Sequence, residues 1–208
     1  MPLSETTVFD LCVTACHEWL DDYGKDGLPS LYEVFMDGTQ GCWVSSVIPE
    51  AVWQLAFAAG GSPQTVLSGW IKTVCTTPKI QLSIYDNPPS GFLLVAAAWH
   101  ASSEGNDPAA LARQDQIIAA VREGKVEEQP GSREVVTATW YERGGKSSAA
   151  SILDVEDKQT LVQWKSPKGG IVHSLALLDK AYDSCCKVYD TYSADKLAQM
   201  RKQQKERT

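Results

Sequence analysis

The sequence predicts an α+β protein: a mainly helical N-terminal domain with a β-hairpin over residues 1–124, then a small closed β-barrel over 133–182 and a C-terminal helical tail over 183–208. Three observations predict it. Apolar residues in the first part recur at three- and four-residue steps, the period of one helix face. Between Arg133 and Tyr182 short runs of alternating residues are separated by tight-turn residues, the rhythm of small antiparallel barrels. Residues 125–132 between them are charged, contain Pro130-Gly131 and read as a linker.

The first helix spans Thr6 to Tyr23: Val8, Leu11, Cys12, Ala15, Trp19 and Leu20 make one apolar face, Ser4 caps it and Gly24 ends it. A polar turn of Asp21, Asp22 and Asp26 with Gly24 and Gly27 follows. Leu31–Phe35 and Cys42–Ile48 are short apolar runs, each a brief helix or strand. Pro49 to Ala59 is a helix with proline in its first turn and Val52, Trp53, Leu55 and Ala56 on its buried side. Gly60-Gly61 stops it, and Ser62-Pro63 caps a further helix that runs to Cys75. Lys79–Tyr85 and Phe92–Ala101 then read as a β-hairpin around Asp86–Gly91: Ile80, Leu82 and Ile84 alternate with polar residues, and Phe92–Trp99 is nearly all apolar, as in a central strand. Asp107-Pro108 opens a helix to Glu123.

The barrel strands are Val135–Tyr141, Ala149–Val155, Thr160–Lys165 and Ile171–Ser174, joined by Gly144-Gly145, Glu156-Asp157-Lys158 and Pro167–Gly170. Ser193–Arg207 is a terminal helix with Leu197 and Met200 on a narrow apolar side. No internal repeat or low-complexity tract interrupts the chain.

Composition narrows the function classes. The net charge is −7. Ser193–Thr208 holds five basic residues and two acidic ones, a net of +3, so the remainder carries −7 − 3 = −10. An acidic body repels a phosphate backbone, which argues against nucleic acid as partner. No run approaches the roughly 18 consecutive apolar residues of a membrane span. Residues 1–10 lack the basic start and long apolar run of a secretory signal, and adjacent Cys185 and Cys186 are poor disulfide partners for each other. Reduced thiols and an intracellular setting, cytoplasmic or nuclear, are therefore expected.

Leu161-Val162-Gln163-Trp164-Lys165 resembles the strand core of chromodomains. The order of Trp140-Tyr141, a glycine turn, Ala150-x-Ile152 and a charged turn is also similar to Tudor and chromo-barrel domains, which share an SH3-like barrel. The resemblance covers about a quarter of the chain. It implies an aromatic cage at the barrel mouth for a methylated lysine or arginine, with Trp164 as the third-strand wall and Trp140 or Tyr141 as the first-strand wall. Pro167 stands where chromodomains often place a second aromatic residue, three after the tryptophan. Trp140 and Trp164 as barrel core is the competing reading.

Other constellations point less sharply to chemistry. Cys12 and Cys16 share a helix face beside His17, but no second ligand pair lies nearby in sequence to complete a zinc site. Cys42 and His100 would have to reach that site through folding, and His100, at the end of the apolar strand, is the best-placed histidine for a catalytic Cys/His pair. Gly60–Gln64 precedes a helix but lacks the Lys-Ser/Thr of a phosphate loop. Of seven tryptophans, Trp19, Trp43, Trp53, Trp70 and Trp99 fall on expected apolar faces. The leading expectation is a non-enzymatic adaptor or complex subunit that binds protein partners through the barrel, with no cofactor or metal. The alternatives are a virion or other assembly subunit, and a hydrolase or transferase with a Cys/His cleft.

Overall fold

The computed structural model describes residues 5–24, 26–36, 42–101, 107–123, 125–145, 148–155, 160–165 and 170–206. In chain order they form α1 (Glu5–Tyr23), β1 (Ser30–Met36), β2 (Cys42–Ser46), α2 (Glu50–Ala58), α3 (Pro63–Thr76), α4 (Pro78–Asp86), β3 (Gly91–His100), α5 (Pro108–Glu123), a 3-10 turn at Val126–Glu128, β4 (Arg133–Glu142), β5 (Ser148–Asp154), β6 (Thr160–Lys165), α6 (Gly170–Asp190) and α7 (Ala194–Glu206). The class is α+β, and the strands make one open sheet in the order β2-β1-β3-β4-β5-β6. Every neighbouring pair is antiparallel.

Successive strand residues face opposite sides of a sheet, so the apolar strands here supply two cores. On one face α1 sets Val8, Cys12, Cys16 and Trp19 against Val34, Leu93, Val95, Ala138 and Trp140. On the other, Leu31, Phe92, Leu94 and Tyr141 pack against Trp53 of α2, Leu67 and Val74 of α3 and Leu175, Leu178 and Tyr182 of α6. This three-layer arrangement explains why β3 is apolar on both sides. Its Gly91 is required by a close approach: a Cβ there would lie 2.3 Å from the Trp140 ring. A small third cluster of Leu82, Tyr189 and Leu197 seats α7 on α4 and α6.

The sheet corrects three expectations. Residues 133–182 do not close into a barrel: β4 pairs with β3 over its whole length on one side and with β5 on the other. The expected fourth strand, Ile171–Ser174, is the first turn of α6, which runs for 21 residues. Leu175, Leu178, Tyr182, Cys185 and Tyr189 recur there at three- and four-residue steps and are all buried, so helical burial prevails over the short alternating start. Lys79–Tyr85 is likewise helical. Pro78 sits in the first turn of α4, Ile80 and Ile84 pack into the large core, and Leu82 and Tyr85 turn toward α6 and α7. Apolar residues at every second position for so few residues fit either period. The partners of β3 are therefore β1 and β4, and the strands on either side of residues 125–132 belong to one sheet.

Candidate functional site

The residues singled out in the sequence are dispersed. Trp140 is wholly buried on the α1 face, while Tyr141, its neighbour, enters the opposite core beside Phe92. They stand on two sides of the sheet and share no wall. The backbone of Trp164 is paired with Ala150; its side chain lies outside the described residues. Cys12 and Cys16 are buried against the sheet, where Cys16 Sγ lies 3.7 Å from the Val136 carbonyl oxygen and donates toward it. Burial pushes both thiols up to about 12, so they remain protonated at neutral pH. His100 ends β3 opposite Arg133; burial first, and that guanidinium second, lower its pKa. Gly60-Gly61 is an interhelical turn, with Gly60 at φ 76° and Ser62 closing a capping box with Thr65. No group of three or more His, Cys, Asp or Glu side chains able to hold a metal occurs among the described residues. No helix among them is long and apolar enough to cross a membrane.

A polar network crosses the α6 side of the sheet. Tyr182 donates its hydroxyl to Glu33 Oε1 of β1. Burial raises the Glu33 pKa, against the lowering effects of that hydrogen bond and of Arg143. Arg143, in the β4–β5 turn, donates from Nε to Asp179 Oδ1 of α6 at 3.0 Å, and the Gly144 amide donates to Asp179 Oδ2 at 3.0 Å. Gly144 and Gly145 have φ of 89° and 71°, a left-handed turn that glycine makes without strain. The network ties β1, α6 and the β4–β5 turn together.

The surface opens elsewhere, where the end of α1 and the turn after it meet β1, the end of β2 and α2. A cleft of about 380 Å³ lies there, within the range of ligand pockets, lined among others by Tyr23, Asp26, Ser30, Ser46, Glu50, Trp53 and Gln54. Its position follows from local contacts. Trp19 of α1 donates its indole N–H to the Leu28 carbonyl at 3.2 Å, and Gly27 lies against the same ring, where a Cβ would come within 2.7 Å. The Gly27–Pro29 turn is thereby held to the end of α1. Trp53, 1% exposed, anchors α2 from below, and its indole N–H has no acceptor among the described residues. Gln54 donates to Glu50 at 2.8 Å on the rim.

Next to this cleft, α2 breaks the usual amphipathic pattern. Apart from Glu50 and Gln54 its residues are all apolar, yet only Trp53 is buried. Val52 is 44% and Leu55 73% exposed. A short helix that is apolar all round normally sits inside a core. The sequence placed Val52 and Leu55 on the buried side of this helix; the seven apolar residues of nine in α2 were the signal that one side would be left uncovered.

Comparison of the chain with protein-family models, with curated proteins and with solved structures finds no match in any of the three.

Proposed function

We propose that the protein is a non-enzymatic interaction subunit that docks a short segment of a partner protein on the outer face of α2 and in the cleft beside it. The observation that carries this reading is the exposure of Leu55 and Val52 on a helix anchored by a buried tryptophan. Rigidly mounted apolar residues next to a concave, polar-lined recess are how helices and grooves receive peptide segments. The placement differs from the one expected from sequence. An aromatic cage of Trp140, Tyr141 and Trp164 in an SH3-like barrel has less support, because Trp140 has no exposed face and Tyr141 lies on the other side of the sheet. Cys12 and Cys16, buried against the sheet with their thiols held protonated, are poor nucleophiles for the alternative Cys/His-cleft reading.

Selection of a phage-displayed random dodecapeptide library on the full chain tests the proposal. Enriched peptides should bind Leu55→Ser about 5- to 30-fold more weakly, the effect of losing about 1–2 kcal/mol at an interface anchor. The thermal midpoint should hardly move, because the residue is exposed. Equal binding to the native chain and to Leu55→Ser would sink the proposal, as would a library from which nothing is enriched.

A further inference from the structure

Resting on that docking reading, we infer that the cleft beside α2 takes a cationic side chain of the docked segment, with arginine as the fitting residue. Two independent features of the cleft converge on this chemistry.

The first is the electrostatics of the helix ends that meet there. A helix C-terminus carries partial negative charge and is ordinarily offset by Lys, Arg or His in its last turn. The last turn of α1 has no basic residue and ends in Asp21, Asp22 and Tyr23. Asp26 follows in the turn that lines the cleft. Between Glu18 and Asp26 the sequence holds four acidic residues and one lysine, a net of −4 + 1 = −3. On the opposite wall, the N-terminus of α2 would repel a cation, but Glu50 occupies its first turn and lines the cleft. Acidic side chains at a helix C-terminus disfavour the helix. A local rule broken beside a recess is a mark of function.

The second feature is aromatic. Tyr23 lines the recess and is 53% exposed, so its ring offers a free face. Carboxylates beside an exposed ring suit a guanidinium, which stacks on an aromatic surface and forks to carboxylates in one planar group.

The same displayed dodecapeptide library, eluted from the native chain, reads the inference directly, with arginine amide as the free-cation probe. Selected peptides should carry a basic residue at a fixed spacing from an apolar one. An Asp26→Asn, Glu50→Gln double variant should bind them about tenfold more weakly and with a flatter salt dependence. The native chain's own binding should weaken as salt rises, a measurement that needs no variant. Arginine amide should compete only weakly. Selected peptides without a basic residue that still depend on Leu55 would overturn the inference and leave the docking reading standing. Undiminished binding by the double variant, or salt-independent binding by the native chain, would overturn it too. Tight competition by arginine amide would replace the peptide with a small cationic ligand. Failure of the Leu55→Ser comparison would remove the docking reading itself.

Discussion

Removing the Asp179 side chain should loosen the β4–β5 turn from α6. Asp179 is 8% exposed and accepts two hydrogen bonds at 3.0 Å, one from the Arg143 guanidinium and one from the Gly144 amide. A hydrogen bond to a charged group contributes about 1.5–3 kcal/mol. Asp179→Ala forfeits two of them and strands a guanidinium whose side chain is 18% exposed. Breaking a buried pair in this way costs about 3–5 kcal/mol. Since water can still reach part of the Arg143 side chain, the low end, about 3 kcal/mol, is expected. For a chain of this length that corresponds to a fall of about 6–12 °C in the thermal midpoint. Circular dichroism melts of Asp179→Ala, Arg143→Met and the double variant measure it as a cycle. The double variant should lose less than the sum of the singles by about 2 kcal/mol, because removing both partners leaves no unpaired charge. A fall of less than about 3 °C for Asp179→Ala, or strictly additive losses, would refute the view that this contact locks the turn.

Two further outcomes are expected. Burial raises the Glu33 pKa above its ordinary value of 4.5, so folding favours its protonated form; the stability it contributes is complete below about pH 4.5 and is lost as pH rises through the folded-state value. Glu33→Gln, which keeps an acceptor for Tyr182, should remove that decline and make the protein more stable than the native chain at neutral pH; parallel pH–stability curves for the two would contradict this. Cys75 is exposed whereas Cys12 and Cys16 are buried with raised pKa, so iodoacetamide followed by peptide mapping should modify Cys75 well before those two, and comparable rates would mean that α1 opens readily from the sheet.

The sequence was most legible where a pattern ran long enough to have one period. The α1 face of Val8, Cys12, Cys16 and Trp19 is a helix face in the structure, and the capped start of α3 at Ser62 and the apolar run of β3 are where the residues indicated. It was least legible over four to seven residues. Ile80, Leu82 and Ile84 satisfy a strand's alternation, and the helix they form is decided by Pro78 and by two cores on either side of it. Ile171–Ser174 looked extended only because the window stopped before Leu175 and Leu178. The open sheet was hidden for another reason: nothing local says that β4 prefers β3 to a barrel partner, a choice made by the layers covering both faces. The cleft was half visible. The acidic turn at Asp21–Asp26 stood out, but its meeting with Glu50 and Trp53 is a product of the β1–β2 pairing.

The partners of α1 also set a schedule for synthesis. Cys16 lies beside the backbone of Val136 and Ser151, sequence separations of 120 and 135 residues. The apolar stripe of α1 is synthesised before β4 and β5 and gains most of its permanent cover only once they have followed. At typical elongation rates that delay is roughly 7–27 s. Throughout it, Trp19 and the two thiols of α1 have only the β1 and β3 part of their cover, Val34, Leu93 and Val95. A chain cut short near residue 132 would leave α1 without the β4 and β5 part of its packing surface.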